Sequence, residues 1–205
     1  MLRSDAKNEE ALALLGELEL RDHHVADALE AFGRLLAIAD SPQGHSGRMR
    51  ALYGAGDMDG ARKEASSLTK SNETHAASRL MLARIAWRRD KDEAATSRWL
   101  EELARPDVNQ SSSTLERAEA AALKGSMHLA AGRVQDAKKA YESAVTITGG
   151  ATSTEIEIGL GDVSLASGEV AKAMAHYRTA LESAPNNPEA KAGLAAAQKK
   201  LDEGH

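Results

Sequence analysis

Small residues recur along the chain at intervals too long for one helix to generate. Gly56-Asp57-Met58-Asp59-Gly60-Ala61, Gly132-Arg133-Val134-Gln135-Asp136-Ala137 and Gly168-Glu169-Val170-Ala171-Lys172-Ala173 each set an alanine five residues after a glycine, and each alanine is followed by a helical stretch. His23 to Ala28 and Asp90 to Ala95 fit the same frame with the glycine replaced. The alanines therefore stand at 28, 61, 95, 137 and 173, between 33 and 42 residues apart. Twelve residues before each comes Gly16, Met49, Ala83, Gly125 or Gly161, and four residues after each comes Phe32, Ala65, Trp99, Tyr141 or Tyr177. A period in this range predicts stacked two-helix units. In each unit the small residues let two helices approach closely, and a ring one turn later fills the space to the next pair, so Trp99 is expected in the core. The glycine between them ends the first helix, where a left-handed backbone costs it least.

Capping chemistry sets the boundaries. Ser41-Pro42 and Asn187-Pro188 each place a capping side chain before a proline, and Ser113…Glu116 and Thr154…Glu157 read as capping boxes. The units then run over about 9–41, 42–74, 75–107, 115–149 and 154–186, with one more helix at 187–203. That last helix, Glu189 to Leu201, is rich in alanine and lysine, as a solenoid end with a polar outer face requires. Arg105 to Thr114, rich in Pro, Asn and Ser, predicts a longer loop and a looser seam at 105–114; Gly149-Gly150 serves similarly between units four and five.

The pattern resembles the tetratricopeptide repeat, a helix-turn-helix unit of 34 residues. Leu160-Gly161, Gly168, Ala173, Tyr177, Ala180 and Pro185 stand where that family places Leu-Gly, Gly, Ala, an aromatic ring, Ala and Pro. Gly125, Gly132, Ala137, Tyr141 and Ala144 match in the fourth unit, and Leu15-Gly16, Ala28 and Phe32 in the first. The pattern departs at His23, Met49, Ala65 and Asp90. The resemblance covers residues 9–185. It implies an all-α fold: a single right-handed superhelical solenoid over 1–205, of about five such pairs plus a C-terminal capping helix.

It also implies a concave groove, lined by the first helix of each pair, in which the family holds peptides or partner helices. With the small residue as position eight, the groove-facing positions are two, five, nine, twelve and thirteen. They gather Arg50, Arg84 and Arg88 around Tyr53 and Trp87, and make the C-terminal end acidic with Glu119, Glu155 and Asp162. The expected partner is a protein or peptide segment, acidic and partly apolar, with carboxylates on the arginines and an apolar side chain on the rings. On the alternative reading position twelve is core and the arginines are solvated. Members that grip chaperone tails carry lysine and asparagine at positions five and nine of their first repeat. Here Ala13 and Glu17 stand there, which argues against that subtype.

Composition narrows the rest. Hydrophobic residues at 42% and charged ones at 28% describe a chain that folds in water, and 3% aromatics with four prolines lean to helix. A formal charge of −5 argues against a nucleic-acid partner. The absence of cysteine excludes disulfides, thiolate zinc sites, iron–sulfur clusters and a cysteine nucleophile. H-E-x-x-H, G-x-x-x-x-G-K-[ST] and G-x-S-x-G are all missing. The glycines at 54–60 read as an inter-helix turn, and Asp57-Met58-Asp59-Gly60 lacks the other ligands of a calcium loop. His23 and His24 point to different sides of a helix and read as solvated turn histidines. Asn72-Glu73-Thr74 and Asn109-Gln110-Ser111 match a glycosylation acceptor pattern short enough to arise by chance.

The expected function is therefore non-catalytic, a protein-binding scaffold with no cofactor, no metal and no direct membrane insertion. Two alternatives stand beside it. One is a fragment of a longer array in an envelope assembly or secretion apparatus, self-associating through its solenoid ends. The other is a regulatory appendage of a catalytic domain. The location is cytoplasmic if the chain is complete, and periplasmic or envelope-associated if a leader has been removed.

Overall fold

The computed structural model describes the backbone of residues 2–203 and the side chains of residues 8–203; Met1, Gly204 and His205 lie outside the described residues. Twelve helices and no strand occur among the described residues. They fall into two compact units, Met1–Ser112 and Ser113–His205.

The first unit holds α1 (Leu2–Arg21), α2 (Val25–Ile38), α3 (Pro42–Gly54), α4 (Met58–Ser71), α5 (Ala76–Ile85), α6 (Glu93–Ala104) and α7 (Pro106–Ser111). Each helix packs on its successor, and α1 also touches α3. The second unit holds α8 (Thr114–Ala130), α9 (Val134–Ile147), α10 (Thr154–Ala166), α11 (Val170–Ser183) and α12 (Pro188–Glu203). Here too neighbours in sequence are neighbours in space, and α10 contacts α8 and α12.

Local chemistry explains most helix ends. The turn glycines Gly56, Gly132 and Gly168 take φ of +81°, +72° and +77°. His23 occupies the same slot at +63°, where a side chain costs about 1 kcal/mol. Ser41 accepts from the Gly44 N–H, Asn187 from the Ala190 N–H, and Ser113 and Glu116 form the reciprocal box. Two expectations fail. Ser153, not Thr154, caps α10, because Glu157 turns inward to His176 instead of back to the cap. The stretch read as a loop at 105–114 contains α7, started by Pro106 and pinned by the fully buried Val108.

The core repeats one device. Phe32 lies between Gly16 and Gly47, Tyr141 between Gly125 and Gly159, and Tyr177 between Gly161 and Gly193. A Cβ on any of these six glycines would come within 2.1–2.7 Å of the ring. Each ring of a second helix is thus wedged between the first helix of its own pair and the first helix of the next. Between the second and third pairs the sizes invert. Ala65 replaces the ring, and Met49 and Met81 replace the two glycines, all three buried in one cluster. Volume is conserved while its owner changes, the kind of exchange cores tolerate best.

The third pair corrects the sequence frame. After Ile85 the helix widens into a π turn over Ala86–Asp90, and the left-handed residue that follows is Lys91, at φ +56°. One extra residue is thereby accommodated. The slots filled by Ala61, Ala65 and Leu68 in α4 pass to Thr96, Leu100 and Leu103, which are 0%, 3% and 6% exposed. Ala95 and Trp99, expected there, are each displaced by about 100° around α6. Trp99 is only half-buried, with the Arg98 guanidinium 5.2 Å above its ring.

Candidate functional site

Position nine, the residue after each small one, is one of the five positions expected to meet a partner. In the second unit that position serves the interior. The Tyr141 hydroxyl and Ser126 Oγ are 2.8 Å apart, and the Tyr177 hydroxyl donates to Asp162 Oδ1 at 2.6 Å. Burial raises the Asp162 pKa above the ordinary carboxyl value, against the lowering effect of the tyrosine hydrogen bond. Burial and the adjacent carboxylate together push the Tyr177 phenol far upward. In the first unit, where Phe32 has no hydroxyl to satisfy, Glu17 at position nine of α1 instead accepts a hydrogen bond from Arg50 at position nine of α3.

The remaining first-unit candidates lie on α3, α5 and the wide turn. Tyr53 is half-buried against the cluster that contains Met49, Met81 and Ile85. Arg84 and Trp87 are half-buried, and Arg88 is exposed in the π turn. Of the acidic candidates in the second unit, Glu119 is half-buried on α8 and Glu155 is exposed in the first turn of α10.

Asp162 belongs to a distinct concavity. A cavity of about 680 Å³ is lined by Leu129 of α8, by Asp162, Leu165 and Ala166 of α10, and by Ala196, Lys199, Lys200 and Glu203 of α12. Leu129 and Leu165 are both at position twelve. Gly193 falls in the column of Gly47 and Gly159, so Ala196, Lys199 and Lys200 continue positions nine, twelve and thirteen into α12. Sequence reasoning treated α12 only as a cap and missed these three; the signal was Gly193, placed 34 residues after Gly159. The acidic end also acquires two cations. Lys200 Nζ donates to the Leu165 carbonyl at 3.2 Å, and Lys199 pairs with Glu203 at 3.6 Å.

The second-helix side carries polar pairs that the sequence did not reveal. His45 Nδ1 donates to Glu64 at 2.7 Å and Nε2 donates to Asp40 at 2.6 Å, while Arg48 reaches Glu64 at 3.2 Å. A carboxylate can only accept, so a ring that faces two of them holds both protons. Burial alone would lower the His45 pKa, but hydrogen bonds to Asp40 and Glu64 outweigh it and raise the value. The same two positions recur in α10 and α11 with the residues exchanged, Glu157 accepting from His176 at 2.8 Å. Beside that pair lies a cavity of about 440 Å³, bordered by Lys138, Glu142 and Lys172. In the first turn, His24 Nδ1 bonds Glu19 at 2.9 Å, and one atom each of Glu19, His24 and Asp27 fall within 4.8 Å of one another.

The arrangement of paired helices has known counterparts. Family models described as tetratricopeptide repeat match residues 47–111 and 128–197. The chain belongs to the tetratricopeptide repeat family. A thermophilic tetratricopeptide-repeat protein of Thermus thermophilus is similar over 93% of this chain and 98% of its own, with a TM-score of 0.70 and 20% identity. PilF of Pseudomonas aeruginosa is similar over 98% and 93%, with a TM-score of 0.66 and 14% identity. A chain of the APC/C hetero-tetramer Cut9–Hcn1 is similar over 92% of this chain but 42% of that one, with a TM-score of 0.62 and 13% identity. At such identities the likeness is one of fold. No curated protein matches the sequence. The tetratricopeptide fold is that of protein-interaction scaffolds and is typically non-catalytic. No helix among the described residues is long and apolar enough to cross a membrane.

Proposed function

We propose that this tetratricopeptide protein is a non-catalytic scaffold that holds a partner peptide or helix against the first-helix faces of its units. The cavity across α8, α10 and α12 carries this reading, because three successive first helices contribute the same register positions to one concavity. Leu129 and Leu165 give it an apolar floor, and Lys199 and Lys200 stand at one side. That combination suits a segment with an apolar side chain for the floor and a carboxylate for the ammonium groups. In the first unit the candidates Arg50, Arg84 and Arg88, with Tyr53 and Trp87, would offer a like combination of cation and apolar surface, so one acidic, partly apolar partner chemistry fits both units. Glu119 and Glu155, near the N-terminal ends of α8 and α10, repel such a partner and favour its acidic residues toward the lysines. The similar chain of the Cut9–Hcn1 hetero-tetramer is in keeping with a heteromeric use of the fold.

Affinity capture from a lysate of the source organism tests this, with binding of any captured partner then measured directly. Four forms are compared: the unaltered chain, Arg50→Glu/Arg84→Glu/Arg88→Glu, Lys199→Glu/Lys200→Glu, and Lys138→Glu/Lys172→Glu on the second-helix side. A partner that binds the unaltered chain and the last variant, but loses most of its affinity for either of the other two, supports the proposal. A partner held equally by all four, or lost only with Lys138 and Lys172, overturns it.

A further inference from the structure

Position eleven, three residues after each small one, carries a large side chain in the first, second and fourth pairs. Glu19 of α1 bonds His24, Leu52 of α3 packs against the cluster around Met49, and His128 of α8 accepts from Arg133 Nε at 3.0 Å. In the third pair the residue is Ala86, where the π turn begins. In α10 it is Ser164, which is only 7% exposed. A small residue in a slot that its counterparts fill leaves space, and Ser164 lines the cavity of about 440 Å³ between α9 and α11. Its hydroxyl meets no hydrogen-bond partner among the described residues. A polar group so deeply placed calls for a partner, and the cavity is where one can come from. Around it Val145 of α9 and Leu160 and Val163 of α10 supply apolar surface.

The charges at the mouth specify the chemistry. On α11, Lys172 donates to Glu169 at 2.9 Å, so these two are matched. The Glu169 pKa is lowered mainly by that bond, with Lys138 the weakest contributor. On α9, Lys138 and Glu142 both border the cavity, yet they form no ion pair with each other or with another described residue. Residues four apart on a helix have their Cβ atoms about 5–6 Å from one another. One cation and one anion at that spacing suit a ligand that carries a carboxylate and an ammonium on the same carbon. A phosphate would meet repulsion from Glu142, and the terminus of a chain offers one charge where the wall offers two. A volume of a few hundred Å³ with an apolar lining and few polar groups is the ordinary form of a small-molecule site.

We propose that the cavity between α9 and α11 binds a free α-amino acid with a branched apolar side chain, its carboxylate on Lys138, its ammonium on Glu142, its side chain on Val145, Leu160 and Val163, and the Ser164 hydroxyl as a further hydrogen-bond partner. The site lies on the second-helix side, and the inference does not rest on the groove reading.

The test is an NMR titration of the full ¹⁵N-labelled chain with L-leucine up to its solubility limit. Isocaproate and isoamylamine, which each keep one of its two charges, serve for comparison. Saturable shifts centred on Val145, Leu160, Val163 and Ser164 are expected with leucine, and each comparison compound should bind about two- to fivefold more weakly, as the loss of one exposed ion pair dictates. Ser164→Leu should fill the cavity as Leu52 fills its own slot, keep the melting temperature at or above that of the unaltered chain, and abolish the shifts. Lys138→Gln/Glu142→Gln alters only the mouth, so it carries the test even if Ser164→Leu does not fold, and it should weaken leucine binding by more than either charge loss alone. The proposal is overturned by an absence of saturable shifts, which would make the cavity merely hydrated, by shifts centred elsewhere, or by undiminished binding in either folded variant. It is equally overturned if isocaproate binds as tightly as leucine, because a lone carboxylate is then the occupant.

Discussion

Replacing Gly47 by alanine adds one methyl group and sets two effects of opposite sign against each other. Gly47 lies inside α3, where alanine is favoured over glycine by about 1 kcal/mol. Its Cβ, however, would stand 2.2 Å from Phe32 Cε1, 2.3 Å from Cζ and 2.6 Å from Cδ1. Carbon atoms in contact sit about 3.5–4.0 Å apart, so a shift of more than an ångström is demanded of the ring. The ring has nowhere to go. Phe32 is fully buried and already lies against Gly16 of α1, where a Cβ would come within 2.6 Å of it. Overpacking of this kind costs about 1–3 kcal/mol, and after the helix-propensity gain a net loss of up to about 2 kcal/mol remains. Gly33→Ala is the control. Gly33 is exposed in the interior of α2 with nothing within 4 Å of its Cβ direction, so the same substitution should stabilise by about 0.5–1 kcal/mol. Urea unfolding followed by the fluorescence of Trp87 and Trp99, both in the first unit, reads both changes. Adding Phe32→Leu should remove most of the Gly47→Ala penalty in a double-mutant cycle. If Gly47→Ala stabilises as Gly33→Ala does, the ring is not wedged between two glycines and the packing argument is wrong.

Leu100→Ala should cost about 2–5 kcal/mol in urea unfolding and more than Trp99→Ala, the reverse of what the aromatic column implies; equal losses would contradict the one-residue shift in α6. Tyr177→Phe should destabilise by about 1–2 kcal/mol, because it leaves the Asp162 carboxylate without its donor. NMR titration should then find the Asp162 pKa higher still, since the lost hydrogen bond was what lowered it. The protonated His45 ring stabilises the fold fully below its free pKa of 6.5, and this contribution is lost as pH rises through the raised folded value. The stability difference between the unaltered chain and His45→Gln should therefore be largest near pH 5.5 and shrink with rising pH; a difference that grows with pH would exclude the two-carboxylate arrangement.

The family and the helix pairs were legible because their determinants are residues of extreme size. Glycine, alanine and aromatic rings at fixed offsets report close approach directly. The second glycine column, Gly47, Gly159 and Gly193, stood in the sequence too, but its meaning depends on which neighbour the ring of the preceding pair reaches. The π turn was not legible. Ala86 to Asp90 are ordinary helix formers, and Ala95 offers a false alanine one residue before Thr96. A slip of one residue turns every side chain of α6 by about 100°, which is why Trp99 is only half-buried at the edge of the α4–α5 core. The His45–Glu64 and Glu157–His176 pairs escaped for a different reason. Each joins residues 19 apart on two helices, and the second pair reverses the first, so no column of like residues marks them.

Position nine shows how the interior limits the candidate site. A tyrosine wedged between two helices buries its hydroxyl as well as its ring, and that hydroxyl needs a partner. Ser126 and Asp162 supply it, so in the second unit the residues at this position are committed to the core before any ligand arrives. Phe32 makes no such demand, which frees Glu17 to tie α1 to α3 through Arg50. Reversing the charge of Arg50 therefore breaks an internal ion pair as well as a proposed partner contact, and its effect on binding must be read beside its effect on stability. Positions twelve and thirteen carry no equivalent obligation in α12. Lys199 and Lys200 can be reversed at the expense of one exposed ion pair and one hydrogen bond to the Leu165 carbonyl, terms worth about 1 kcal/mol or less apiece. A loss of partner affinity at these two lysines that exceeds this cost is consequently the cleaner sign that the cavity beside Leu129 and Leu165 is where the partner lies.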